Sequence, residues 1–558
     1  MSRPYDHIEG SGPPEKSDPG ITQPALGLTG YLRFFWRQLT SMRTAIVLLL
    51  LLAIAAVPGS MWPQRSSDPN GVIQFFSKNP TLAPVLDRLQ LFDVYTSVWF
   101  SAIYILLFIS LIGCVIPRTI YHLRALRAKP PRTPARLERL AVFEATELEP
   151  SELDPGESGK SVDASHAIEA ARSQLRSSGY RVALYEGAKD LSVSAERGYL
   201  RETGNLVFHT ALIGILFAVG LGGGFGYTGQ KVIVEGQSFV NIKGAYDSFT
   251  PGRFFTDAAL QPYRLTLDNF EAKYEEHSIQ AYGQPIDYTA HVTTWLPHQK
   301  GVNSTIKVNE PLALGGSDLY LLGNGYAPTI TVRDGQGNIA FTASVPFLPQ
   351  DANLTSTGVV RVPDALPKQL AFLGFFYPTA GQLTTGALTS IHPDLRNPVL
   401  TLFAYTGDLG LDSGVPQNVY ALDPTGLTQI AGGKSGAPAI ELRPGQTVQL
   451  PDGLGSVTFT SASPNAAAND WSKSVPRYIS LDIHRDPAQL WVLLFAIIAV
   501  AGLLSSLFLP RRRVWVKAID GSDGRLRLEY AGLARGEDPG LAAAVSAIAE
   551  RHAQRLKA

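Results

Sequence analysis

Four apolar stretches constrain this chain more than any other feature: Thr44–Trp62, Ser97–Ile116, Asn205–Leu221 and Ala488–Leu509. A helix that crosses a bilayer needs ~20 such residues. Inside the bilayer each segment must satisfy its own backbone hydrogen bonds, so these stretches are expected as helices. The first has its unbroken apolar core at Ala45–Val57, followed by Pro58 and Gly59. A signal peptide with Ala53-Ile54-Ala55 as its cleavage site is the alternative there. The long polar stretch before it favours a span.

Lys and Arg flanks set orientation. Arg33, Arg37 and Arg43 precede the first span, Arg118, Arg124, Arg127 and Lys129 follow the second, and Arg511, Arg512, Arg513 and Lys517 follow the fourth. All three flanks face the cytoplasm if both termini do. Trp36 and Trp515 then mark the inner interface, and Trp62, Trp99 and Trp491 the outer one. The region 222–487 becomes extracytoplasmic. It carries 16 Lys and Arg against 22 Asp and Glu, in a chain that balances at 48 and 48. A chain of zero net charge has no bulk field for nucleic acid, and no nucleic-acid partner is expected. A lone cysteine excludes a disulfide framework, a CxxC pair and a thiolate zinc cluster.

The expected fold is a multi-pass membrane protein of α+β class, with four transmembrane helices and a large β-rich extracytoplasmic domain between the third and fourth. Residues 1–28 read as a disordered tail. Tyr31–Met42 mixes aromatic and basic residues and suits a helix on the lipid surface. In the outer loop 64–96, Phe75, Phe76, Leu86, Leu89 and Phe92 are expected on a short amphipathic helix against lipid. The second loop, 117–204, holds a helix at Ala164–Ser178 and short strands at Tyr180–Leu184 and Leu191–Ala195, a small α/β module. Eleven short β-like runs between Val232 and Ile483, separated by turns such as Asp452-Gly453, point to one or two sandwich-like units. The tail after Arg513 reads as a hairpin around Gly521–Gly524, then a helix from Leu541.

Two glycine-containing motifs carry no nucleotide chemistry. Residues 156–161 imitate the end of a phosphate-binding loop, but Asp154 stands where that loop needs glycine. The glycines of Gly220–Gly226 follow a membrane helix rather than a strand and read as a hinge. HExxH and GxSxG are absent from the sequence, so hydrolase chemistry has no support.

One histidine of ten, His209, lies inside a span. An ionisable residue in hydrocarbon is a functional candidate by default. Neutral imidazole is a good axial ligand for haem iron. The bland alternative is a hydrogen bond to a hydroxyl such as Thr210 or Thr96. No other stretch offers a second histidine within lipid. Cys114 is expected as inert packing.

Three segments carry a resemblance: Ser41–Gln64, Gly198–Ile213, and Lys307–Pro311 leading to Leu319–Tyr326. Together with the four-span order they resemble the ResB-like family of cytochrome c biogenesis proteins. The resemblance implies a system II cytochrome c synthetase subunit, working with a CcsA/ResC-type multi-span haem-handling protein. Its cargo would be b-type haem, transiently bound, and its client apocytochrome c. His209 matches the family's transmembrane histidine, so it becomes the expected axial ligand to haem iron. The partner would supply the second histidine and a Trp-rich outer segment; the lone Trp295 does not match that segment. The chain is then a non-catalytic or joint subunit of haem attachment, with membrane lipid as its surroundings and no catalytic residue assigned. Two other classes stay open: a non-haem scaffold of a respiratory complex, and an envelope protein that binds a ligand in the β-rich region.

Overall fold

A computed structural model describes residues 27–149, 163–187, 190–411, 422–433, 435–465, 470–520 and 525–557. Residues 1–26 of the tail expected over 1–28, the motif at 156–161 and the turn at 521–524 lie outside the described residues, while Leu28 already begins a helix. The chain divides into two compact units, one of them Ser66–Pro69 with Phe217–Leu490 and the other the remainder.

The helices of the first part are α1 (Leu28–Leu39), α2 (Met42–Met61), α3 (Pro69–Lys78), α4 (Ala83–Arg88) and α5 (Val98–Arg127). Later come α6 (Ala164–Ser177), α7 (Leu200–Phe225), α8 (Gln489–Phe508) and α9 (Leu541–Lys557). Helices α2, α5, α7 and α8 are each long and apolar enough to cross a membrane. The Ser41 hydroxyl accepts from the Thr44 backbone N–H and starts α2. Pro58 does not end α2, which continues to Met61. Helix α5 has 30 residues, about 45 Å at 1.5 Å per residue. It therefore runs through Pro117 and well past the end expected at Ile116.

The loop between α2 and α5 departs from its expected form. Phe75 and Phe76 turn inward onto Phe92, with ring centroids 5.5 Å away in each case. Val72, Ala83, Leu86 and Phe92 form a small core there. Gln64 ties it together, donating to the Leu91 carbonyl and accepting from Val94 N–H, both at 3.0 Å. Arg65 pairs with Asp87 and Asp93. Polar groups at both edges let these aromatics bury one another, and only Leu89 of the expected lipid-facing set is mostly exposed.

The second loop and the C-terminal tail share one antiparallel sheet. Its strands lie in the order Val142–Leu148, Leu526–Ala534, Arg512–Asp520, Leu191–Arg197, Arg181–Glu186. Helices α6 and α9 cover one face, burying Ile168, Leu175, Val545 and Ile548 against Val193, Val516 and Leu528. Trp515 alternates onto the other face. It is buried there with Leu137 and Ala531 rather than at a membrane interface, because Leu137–Arg139 closes that side.

A pH response follows from this module. His552 is fully buried. Its Nε2 lies 2.8 Å from the Ala167 carbonyl and its Nδ1 2.8 Å from the Tyr530 hydroxyl. A carbonyl only accepts, so Nε2 carries the proton and Nδ1 accepts from Tyr530. Burial pushes the imidazole down to about 4. The unfolded chain therefore binds a proton that the folded one refuses. Stability is complete above the ordinary histidine value of about 6.5 and declines as pH falls toward 4, by about 3 kcal/mol. Protection of the strand Leu526–Ala534 against hydrogen exchange, corrected for the intrinsic rate at each pH, should fall between pH 7 and 4.5 in the wild type. A His552→Gln chain should lack that acid-dependent loss of protection.

In the other unit, two sheets enclose one core. One holds Tyr227–Val234, Ser317–Tyr326 and Arg477–Arg485, and the other Arg264–Tyr274, Pro285–Trp295 and Val302–Lys307. Between Tyr326 and Arg477 the chain builds a second sandwich. There Thr329–Arg333 and Ser456–Thr460 pack over Ser356–Val362, Leu370–Tyr377 and Val399–Thr406. The glycine run expected as a hinge falls on the end of a helix and the turn after it. Helix α7 continues to Phe225. Gly226 N–H donates to the Gly222 carbonyl at 2.7 Å, and Gly252 N–H to the Gly226 carbonyl at 2.9 Å. A side chain at Gly226 would stand 2.3 Å from the Arg485 carbonyl oxygen.

Candidate functional site

The site is built around α7. One face of α7 is fixed by glycines. A Cβ at Gly204 would lie 2.7 Å from the Gly502 carbonyl oxygen, and one at Gly502 would lie 2.7 Å from Phe208 N. Helices α7 and α8 thus cross backbone to backbone, as small residues allow within lipid. Tyr104 of α5 donates to the Leu216 carbonyl of α7. The turn between α1 and α2 is pinned to α5, where Ser110 donates to the Leu39 carbonyl at 2.6 Å and Cys114 to the Thr40 carbonyl at 2.9 Å.

His209 follows Gly204 by five residues, about 140° around the helix at 3.6 residues per turn. It therefore leaves the α8 crossing and lines a cleft of about 260 Å³ between α2, α5 and α7. Ala45, Ile46, Leu111 and Leu206 make its walls apolar. His209 Nδ1 lies 2.8 Å from the carbonyl of Asn205, one turn back on its own helix. That carbonyl can only accept, so Nδ1 carries the proton and Nε2 keeps its lone pair. This is the tautomer in which imidazole binds a metal, with the other ring nitrogen anchored to backbone. The Phe208 ring packs edge-on with its centroid 5.1 Å away. Neither proposed hydroxyl partner is used; Thr96 donates to the Asp93 carbonyl at 3.2 Å.

Cys114 lines the same cleft as His209. Its sulfur donates to a carbonyl, which requires the neutral thiol rather than an iron thiolate. His484 uses both nitrogens, at 2.7 Å from Asp482 Oδ2 and 3.3 Å from Thr228 Oγ1. Among the described residues no three His, Cys, Asp or Glu side chains gather into a metal-binding group.

One residue was missed from sequence. His122 lies on the extension of α5 beyond the expected span and is only 6% exposed. Its Nε2 lies 2.9 Å from Thr203 Oγ1. Its Nδ1 is 3.4 Å from Glu202 Oε2, close enough for an ion pair when protonated but without hydrogen-bond geometry. The available signal was spacing: His122 stands two turns after Val115, which is itself buried.

Comparison with known proteins gives the context. A family model described as the ResB-like family matches residues 42–546. A cytochrome c biogenesis protein CcsB from Thermosynechococcus vestitus is 26% identical over 408 residues, 68% of this chain and 82% of the relative. One from Synechococcus sp. strain CC9605 is 26% identical over 490 residues, 87% of this chain and 89% of the relative. With the CcsB of Synechococcus sp. strain WH7803 the match is 26% over 287 residues, spanning 58% of that protein. The matched residues begin at the start of α2, take in all four apolar helices and both β sandwiches, and end within α9, so the chain belongs to the ResB-like family.

Proposed function

We propose that this chain is a subunit of a system II cytochrome c synthetase, holding haem within the membrane through His209 and presenting apocytochrome c on the extracytoplasmic face. The observation that carries the reading is the Nδ1 hydrogen bond to the Asn205 carbonyl, which leaves Nε2 free to coordinate in an apolar cleft. The donor set fits haem as cargo: one neutral imidazole, aliphatic walls and no competing thiolate. The cleft itself, at about 260 Å³, falls below the ~300 Å³ at which sites for drug-sized ligands begin. It would take one edge of a porphyrin and leave the other face for a second polypeptide. A CcsA/ResC-type multi-span protein is the partner we infer, supplying the second axial histidine. The relatives named for cytochrome c biogenesis support that assignment.

Orientation belongs to the same proposal. The Arg-rich flanks support an orientation with the α/β module and both termini in the cytoplasm and the β sandwiches outside. Haem then meets His209 in the cytoplasmic half of α7. The test is the haem content of the complex purified with its partner. His209→Ala should lower it by about 10-fold or more, and His209→Gln should do the same while keeping polarity. Unchanged haem and an unchanged spectrum in both variants would contradict the assignment.

A further inference from the structure

Where α5, α7 and α8 meet the α/β module there is a cavity of about 740 Å³. It shares Arg118, Asn205 and Leu206 with the His209 cleft, so the two spaces adjoin along α5 and α7. Its volume falls within the range of roughly 300–1,000 Å³ typical of ligand sites.

The cavity's charges are unbalanced. Glu202 is its one carboxylate, and that group is already engaged by Arg511 and Arg535. Arg201 donates to the Arg535 carbonyl and Arg118 touches the sulfur of Met42. Among the described residues neither Arg118 nor Arg201 has a carboxylate within ion-pair distance. His122, more than nine-tenths buried, also lines the space, and its Nδ1 has no hydrogen bond. Beside the arginines the walls are apolar, with Pro117, Tyr121 and Leu206. Such a site fits a ligand with a flat apolar body and two anionic groups on one edge.

We infer that this cavity receives the propionate edge of haem, with Arg118 and Arg201 each pairing one carboxylate. The inference rests on the reading of His209 as the iron ligand. Arg201 precedes His209 by eight residues, about 12 Å along the helix axis. Arg118 reaches both spaces from the facing helix. A porphyrin whose iron sits at His209 can therefore extend its carboxylate arms toward both guanidiniums. Guanidinium and carboxylate are geometrically matched and form the stronger class of hydrogen bond.

The test uses the full chain with its partner in nanodiscs and compares haem with haem dimethyl ester, whose propionates are neutral. The Arg118→Gln/Arg201→Gln chain should bind haem about 10- to 100-fold more weakly. The wild type should bind the ester as weakly as the double variant binds haem. Arg118→Lys/Arg201→Lys should recover part of the loss, which excludes misfolding as its cause. The haem still bound to the double Gln variant should keep the wild-type axial-ligand spectrum, whereas His209→Ala should alter it. Equal affinity of the wild type for haem and its ester would overturn the inference. So would loss of haem affinity only in nanodiscs containing phosphatidylglycerol, which would assign the arginines to a lipid headgroup. A preference for haem over its ester that persists alongside a His209→Ala spectrum identical to wild type would instead overturn the iron-ligand reading alone.

Discussion

Replacing Gly502 by leucine is expected to collapse the α7–α8 pair and remove most folded, haem-containing complex. The contact is between main chains. A Cβ at Gly502 would meet Phe208 N at 2.7 Å and the Gly204 carbonyl oxygen at 2.8 Å. Backbone atoms cannot rotate aside as a side chain can, so the helices must separate. Overpacking a tight site costs about 1–3 kcal/mol and sometimes more. A four-carbon side chain at a backbone crossing belongs at or beyond the upper end. Alanine should fall within that range and leucine above it. Phe208 precedes His209, so any shift there also moves the imidazole. The thermal midpoint in detergent and the haem-to-protein ratio should fall together, in the order wild type, Gly502→Ala, Gly502→Leu. A leucine variant with wild-type values would show that the crossing is not tight.

The second large effect is expected at Glu196, which is 2% exposed. Burial alone would raise its pKa, but hydrogen bonds from Tyr199, Arg511 and Arg513 outweigh burial and hold the carboxyl below its ordinary value. Arg511 Nε is 2.9 Å and Arg513 Nε 3.0 Å from Glu196 Oε1. Arg511 also pairs with Glu202 and lies over the Tyr199 ring at 4.8 Å. This network joins the residues just before α7 to those just after α8. Glu196→Ala would leave a buried guanidinium short of its partner, at a cost of about 3–5 kcal/mol. Adding Arg511→Met should recover part of the loss, since removing both charges of a buried pair costs less than removing one. The checks are urea midpoints of the single and double variants. If Glu196→Ala leaves the midpoint unchanged, the network contributes nothing to holding the two spans.

Much of this architecture was legible before any coordinates. The four spans depend on local composition, and the helices fall where the apolar runs predict them. The β domain was visible as alternating short strands, but two central ones were overlooked. Leu370–Tyr377 is apolar on both faces, and Ser356–Val362 has serine and glycine among its core-facing residues, so neither shows the apolar–polar alternation that marks a half-exposed strand. The union of the second loop with the tail was hidden for a different reason. Arg512 pairs with Arg197 across more than 300 residues of chain, and no local pattern encodes such a partner. Trp515 was misjudged because a tryptophan after a basic run resembles an interface anchor, whereas its place on a strand turns it into the module's core. At the site, His209 stood out by being ionisable in an apolar run. Its tautomer, its tie to Asn205 and the adjoining arginine-lined cavity required the helices to be packed.

The most direct measurement is an absorption spectrum of the complex carrying His209→Gly, with and without free imidazole. Removing the side chain opens a space that soluble imidazole can fill, restoring a nitrogen ligand without restoring the covalent link. The wild type should show a six-coordinate low-spin haem spectrum, the glycine variant should lose it, and added imidazole should bring it back. A glycine variant that retains the wild-type spectrum, or one whose lost haem no concentration of imidazole restores, would contradict the iron-ligand reading.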